Sequence, residues 1–325
     1  MPVISSTYRS PLFFGNAHIQ TVFPSVFRKV KGVHYQRERV DTPDNDFLDL
    51  DWSRRGSRKV GIICHGLEGN TSRHYVRGMA KALNQIGCDA LALNFRSCSG
   101  EPNRQVRSYH SGISEDVECI VQHIMKNGCY DEIFLIGFSL GGNVILKYLG
   151  ERGSTVNPMI KKAVCFSVLC DLKAGAVRME APDCRIYMKR FLKMLHEKIQ
   201  AKKAMFPGQV DDTGYDEIKT FRQFDDRYTA PMNGFRDAED YWQQSSCKPL
   251  IPNISIPTLL VNAKNDPFFD KACYPVAEAQ ANPNFFLEIP DSGGHVGFIS
   301  FDRDGSYWSE RRTAQFLLSN HPITG

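Results

Sequence analysis

With 325 residues, 42% of them hydrophobic and 23% charged, the chain can bury one large core and is too apolar to be disordered. Forty lysines and arginines against 36 aspartates and glutamates give a net charge of +4. That surplus is spread along the chain, so it argues for no nucleic-acid partner and for at most weak peripheral contact with anionic membrane surfaces. Ten cysteines are scattered with no Cys-x-x-Cys pair and no zinc-like spacing, so neither a metal site nor a disulfide framework is expected. The opening Met1-Pro2-Val3-Ile4 lacks a signal-peptide pattern, and no run of about 18 apolar residues exists to span a bilayer. A reduced, cytoplasmic protein is the expectation, with no obligate protein partner.

In chain order, Val33–Val40 and Phe47–Trp52 flank the turn-forming stretch Thr42-Pro43-Asp44-Asn45-Asp46 and predict an antiparallel hairpin at a sheet edge. Short apolar runs at Val60–Cys64, Asp89–Phe95, Glu132–Gly137 and Ala163–Leu169 predict buried parallel strands, and a fifth follows at Thr258–Ala263. Helical stretches fall between them at His74–Ile86, Ser114–Lys126 and Leu140–Glu151, with a final one near Tyr307–Leu318. Ser114 is placed to cap its helix, with Glu115 and Asp116 in the positive first turn. Strand and helix in alternation specify an α/β fold: a mostly parallel central sheet with helices on both faces.

From Asp171 to Lys248 the strand rhythm stops. Met188, Phe191, Leu192, Leu195 and Ile199 keep helical spacing there, with Lys189, Arg190, Lys193, Lys198 and Lys202 on the opposite face. An insertion this long between two strands of one sheet reads as a helical cap over the sheet's C-terminal edge. The expected division is a core from residues 1–170 and 249–325, with residues 171–248 as the cap. Packing on the core is the favoured role of the apolar stripe, and contact with anionic lipid the rarer one.

Gly137-Phe138-Ser139-Leu140-Gly141 carries the chemistry. It joins the apolar run Ile133–Ile136 to an apolar helix, so the serine falls on a strand-to-helix turn. A nucleophile elbow needs that setting: the turn is strained, exposes the serine oxygen and admits little bulk two residues to either side. Stabilising an oxyanion takes two backbone N–H groups, one of them following the nucleophile, which is Leu140. The loop Cys64-His65-Gly66-Leu67-Glu68-Gly69 supplies the second, with Leu67 the expected donor and Gly66 its rival. His65 is expected to shape this loop rather than to act as the base. After the late strand, Lys264-Asn265-Asp266-Pro267 presents Asp266, and Asp291-Ser292-Gly293-Gly294-His295 places a histidine in a glycine-flanked loop. Ser139, Asp266 and His295 occur in the chain order of a nucleophile, an orienting acid and a base; Asp270 and Asp171 are the alternative acids.

At these residues the chain resembles the YheT-like branch of the α/β hydrolases, also called the AB-hydrolase 4 family. Besides the serine motif, the resemblance rests on Gly15-Asn16-Ala17-His18, His65-Gly66-Leu67-Glu68-Gly69, Asn94-Phe95-Arg96, Phe224-Asp225-Asp226 and Gly293-Gly294-His295-Val296-Gly297. Ser97 departs from the pattern, standing where glycine is expected. The resemblance implies an α/β-hydrolase fold and a serine hydrolase of carboxylic esters, acting on short acyl esters or on acylglycerol and phospholipid-like lipids. It carries the triad over to Ser139, Asp266 and His295, with no cofactor and no metal. Eukaryotic relatives are often membrane-anchored; no such anchor is expected here. A thioesterase or amidase would use the same triad, and a non-catalytic ligand-binding protein could share the fold. Arg96 and Arg104 are read as holding their own loop together, with contact to an anionic substrate group the alternative.

Overall fold

The apolar runs pair side by side because each is flanked on both sides by a helix that needs an apolar surface to pack on. The computed structural model describes residues 3–319. Its strands are β1 (Val3–Ile4), β2 (Gln36–Asp41), β3 (Phe47–Ser53), β4 (Lys59–Cys64), β5 (Asp89–Asn94), β6 (Glu132–Phe138), β7 (Ile160–Phe166), β8 (Thr258–Val261) and β9 (Phe285–Glu288). They form one sheet in the order β1-β9-β8-β7-β6-β4-β5-β3-β2. Every pairing from β1 through β5 is parallel, and the hairpin β2–β3 closes the far edge antiparallel.

Side chains alternate across the sheet, so neighbouring residues enter opposite cores. Ile62, Leu91 and Leu135 pack with α3 (Ser114–Asn127) and α4 (Leu140–Arg152). Ile63, Ala92 and Ile136 pack with α2 (His74–Gln85) and the C-terminal helix Trp308–Leu318. Between β7 and β8 the described residues hold helices and turns only, beginning with α5 (Leu172–Arg178) and α6 (Arg185–Met205). In this segment Met188, Leu192, Leu195 and Ile199 meet Tyr215 and Phe224 in a cluster that also takes in Phe268, Phe269 and Cys273 of the stretch after β8. No helix among the described residues is long and apolar enough to cross a membrane.

Several elements differ from expectation. The strand predicted at Ala163–Leu169 runs from Ile160 to Phe166 instead. It begins early, with Ile160 paired to Ile133 ahead of an irregularity in the ladder, and it ends before Ser167, which adopts a φ of 53°. Ser114 does not cap α3. Ile113 occupies the cap position without a side-chain bond, and Ser114 Oγ donates to Glu151 across the helix pair. An unpredicted helix, α1 (Ala17–Phe27), is capped by Asn16, whose side chain accepts from the His18 and Ile19 amides. The basic face of α6 is not uniformly solvated. Lys202 is 2% exposed and donates to the Asn103 and Gln105 carbonyls, and Lys198 turns inward to Glu68.

Ser97 has a φ of 62°, the left-handed backbone that makes glycine the expected residue there. Its hydroxyl hydrogen-bonds Asn103 and closes the loop. Arg96 is 3% exposed and is engaged by three carboxylates: Asp44 at 2.6 Å, Asp116 at 2.7 Å and Asp46 at 3.2 Å. Arg104 pairs with Asp41 at 2.7 Å. These contacts hold the loop to the β2–β3 turn and to α3, and neither arginine reaches the cavity described below. Arg96→Met leaves Asp46 and Asp116 buried without their cation. It is expected to cost about 3–5 kcal/mol, read as a lowered urea midpoint, and a loss below about 1 kcal/mol would contradict this account.

Candidate active site

The turn between β6 and α4 holds Ser139 at φ 52° and ψ −120°, a strained conformation for a residue with a side chain. Its amide donates to Phe166 O of the neighbouring strand, and its carbonyl accepts from the Gly142 and Asn143 amides. The approach is too close for bulk at the flanking positions. A Cβ on Gly137 would lie 2.5 Å from Gly142 Cα, and one on Gly141 would lie 2.5 Å from the Cys64 and His65 carbonyl oxygens. Inside α4, the buried Asn143 fills its hydrogen-bonding capacity by donating to Ser111 O and Ser245 O and accepting from the Cys247 amide.

His295 and Asp266 arrive on two loops that are tied to each other. Gly294 N donates to Asn265 Oδ1, His295 N to Thr21 Oγ1, and Val296 N to Ser167 Oγ. The imidazole stands with Nε2 2.9 Å from Ser139 Oγ and Nδ1 2.8 Å from Asp266 Oδ2. The second oxygen of Asp266 accepts from Phe268 N at 2.9 Å, and Phe268 packs its ring 4.3 Å from the imidazole. The three residues predicted from separate stretches of sequence therefore meet in one hydrogen-bonded chain. The alternative acids are engaged elsewhere: Asp171 caps α5 through Ala174 N, and Asp270 caps the turn at Lys271–Cys273.

The loop after β4 lies against the serine, with Gly66 packed on Ser139. Gly66 N–H is already committed to Tyr75 Oη at 3.1 Å, and Glu68 N–H to Tyr109 Oη at 2.9 Å. Leu67 N–H, between them, has no hydrogen-bond partner among the described residues, nor has Leu140 N–H at the start of α4. His65 is fully buried, bridges Gly66 O and the Phe95 amide, and is held neutral by burial, which pulls its pKa down to about 3. It braces the loop, away from Ser139.

Ser139 and His295 open into a cavity of about 280 Å³ roofed by the helical segment. Its walls are chiefly apolar, with Leu169, Met179, Phe191, Met194, Leu195 and Trp242 among them. Among the polar residues at its walls are Tyr109, His110, Lys198 and Asp225, none of which was expected to act in the chemistry. Tyr109 donates to Glu68 at 2.6 Å while Lys198 pairs with the same carboxylate at 2.9 Å, so a residue of α6 grips the loop that carries Leu67. Asp225 accepts from Trp242 Nε1 at 2.8 Å, and burial lifts its carboxyl to about 7. In the sequence Asp225 belongs to the Phe224-Asp225-Asp226 stretch of the resemblance and Lys198 to the basic face of α6, and neither signal distinguishes a cavity wall from a solvated face.

A family model described as Hydrolase_4, serine aminopeptidase S33, matches residues 56–274. YheT of Escherichia coli (strain K12), named as a candidate esterase, is 35% identical over 94% of this chain and 91% of its own length. The phospholipase ABHD3 of Mus musculus is 28% identical over 92% of this chain and 74% of its own. The monoacylglycerol lipase of Saccharomyces cerevisiae is 28% identical over 86% of this chain and 62% of its own. Among solved structures, the Pyrococcus furiosus esterase Pf2001 superimposes with a TM-score of 0.60 at 18% identity, covering 95% of this chain and 98% of that one, a likeness of fold. With the family model spanning more than half of its length and YheT matching almost all of it, the chain belongs to the Hydrolase_4 family of α/β hydrolases and, within it, to the YheT-like branch.

Proposed function

We propose that the protein hydrolyses carboxylic esters with an apolar acyl group, with Ser139 as nucleophile, His295 as general base and acid, and Asp266 as the carboxylate that orients the imidazole. The observation that carries this reading is the continuous chain Ser139–His295–Asp266 at the floor of an apolar cavity. Ser139 Oγ attacks the ester carbonyl carbon while its proton passes to His295 Nε2. The carbonyl oxygen becomes an oxyanion held by Leu67 N–H and Leu140 N–H, and Asp266 stabilises the imidazolium. Collapse breaks the bond to the alkoxide, which takes the proton from His295 and leaves as the alcohol. Water then attacks the acyl-enzyme with His295 as base, releasing the acid and restoring the Ser139 hydroxyl. In this reading residues 171–248 act as the roof of the acyl site.

The relatives' names include esterase, phospholipase and lipase, and the bond common to those names is the carboxylic ester. The family description instead names an aminopeptidase, which gives amide cleavage a hearing. An aminopeptidase needs a carboxylate for the substrate's terminal ammonium. The two carboxylates lining this cavity are committed, Glu68 to Lys198 and Tyr109, and Asp225 to Trp242. That favours the ester. A thioester would meet the same geometry, and matched ester and thioester substrates separate the two.

Two outcomes are expected. Against p-nitrophenyl esters from acetate to palmitate, the wild type turns over with an optimum in acyl length. Ser139→Ala loses roughly 10⁴-fold or more in kcat and is no longer labelled by a fluorophosphonate. Equal labelling of the two proteins would sink the assignment. The second outcome concerns Asp225, whose folded pKa of about 7 lies above the unfolded carboxyl value of about 3.9. The folded state therefore holds this proton more tightly. The associated stability is complete below about pH 4 and is lost as pH rises toward about 7, by up to roughly 4 kcal/mol. Asp225→Asn keeps the shape without the titration, so its urea midpoint relative to wild type should rise between pH 5 and pH 8. A constant difference across that range would refute the buried titration.

A further inference from the structure

Helix α1 is inverted. In a helix on a protein surface the apolar stripe faces the core and polar residues face water. In α1 the buried residues are Gln20 and Pro24, while Ile19, Val22 and Val26, spaced i, i+3 and i+7, are exposed on one face. Gln20 is satisfied inside, accepting from Tyr8 Oη and donating to Phe14 O. Phe27, 66% exposed, and Phe301, 64% exposed, extend the apolar face through their contacts with Phe23. Ahead of the helix, Leu12 and Phe13 are 79% and 86% exposed in a turn closed by Phe14 N donating to Pro11 O. Phe13 takes a φ of 68°, at the turn position that favours glycine or asparagine. A bulky aromatic is thus held outward where a small or polar residue would fit better.

Charge is arranged to match. Ser10–Phe27 contains no Asp, Glu, Lys or Arg, and the first acidic residue of the chain is Glu38. Arg9, Lys29 and Lys31 flank the apolar face, are exposed, and have no ion-pair partner among the described residues. The acids next to the patch are neutralised, Asp183 by Arg178 and Asp302 by Arg311. The apolar face also continues into the cavity, since Thr21, Val22 and Ser25 of α1 line it beside Ser139 and His295.

We propose that α1 and the Leu12–Phe13 turn form a docking surface for a lipid bilayer carrying anionic headgroups, which sets the cavity mouth against the membrane. An apolar ridge ringed by unpaired cations fits that surface: the side chains enter the headgroup boundary and the cations meet the lipid charge. The proposal deepens the esterase reading by supplying lipid esters as substrate, while docking itself needs no catalysis.

The test is co-sedimentation with vesicles of phosphatidylcholine alone and of equal parts phosphatidylcholine and phosphatidylglycerol. Wild type and Ser139→Ala are both expected to bind the anionic vesicles, which separates this proposal from the catalytic one. Phe13→Asn/Val26→Ser/Phe301→Ser should lower the partition coefficient roughly tenfold or more, with near-UV circular dichroism reporting that it is folded. Leu12→Ser alone and Lys29→Gln/Lys31→Gln, which leave every buried contact in place, should each weaken binding, the lysine pair only on anionic vesicles. No sedimentation of wild type with either vesicle, or full binding by the folded variants, would overturn the proposal. So would a lipid-free dimer in analytical ultracentrifugation that the same substitutions dissolve, because that outcome gives the face to a second copy of the chain.

Discussion

The rest of the site is arranged around one steric constraint: a helix that must begin one residue after a buried strand ends. Only a left-handed Ser139 turns the chain that sharply, and the turn brings α4 against β4 and β6 with no space for a side chain at 137 or 141. Fixing the serine there fixes Leu140 N–H beside it and the start of the α4 axis behind it. Asn143, one turn further on, then carries the same position outward to Ser111 and to Ser245 and Cys247 of the roof. A strained backbone of this kind, at a cost of about 1–3 kcal/mol, persists only where its surroundings over-determine it. The close approaches of Gly137 and Gly141 provide that.

The roof is held by polar contacts at its rim rather than by apolar burial alone. Lys202 donates to carbonyls of the Asn103–Gln105 loop, Lys198 pairs with Glu68, Tyr241 Oη accepts from Ser111 N, and Tyr187 meets His18. Burial disfavours the Lys198 ammonium, but Cys98 and Glu68 outweigh it and raise its pKa. The first three contacts join the helical segment to loops at the C-terminal ends of the strands, and the fourth joins it to α1. The position of the roof and the position of Leu67 are consequently coupled through Glu68, the residue next to it.

The parallel strands and α2 to α4 are legible in the sequence because their patterns are local: short apolar runs, helical periodicity and glycines around a serine. Ser139, Asp266 and His295 are legible through their order after successive strands, and the contact among them follows from the sheet order that this spacing implies. What is not legible depends on partners far away in sequence. The four-residue β9 and the two-residue β1 are too short to show a period. Helix α1 escapes because its apolar stripe faces outward, which defeats the assumption that periodicity points to a core. Lys198 and Lys202 look like a solvated face because nothing within α6 reveals the carboxylate and carbonyls that receive them.

Several contacts of the N-terminal segment are made with residues far along the chain, past β8. Val3 and Ile4 pair with Leu287 and Glu288, Tyr8 Oη donates to Ile299 O, Arg28 binds Glu310, and Thr21 Oγ1 accepts from His295 N. During synthesis these partners emerge well after the segment itself. The first 30 or so residues, with an apolar ridge and no acidic charge, must therefore wait outside the ribosome while the central sheet assembles. Closing a loop of this length costs only slightly more than closing one half as long, so the delay is kinetic rather than thermodynamic. The nascent chain consequently carries this apolar segment without those partners until the β9 and C-terminal helix residues have been made.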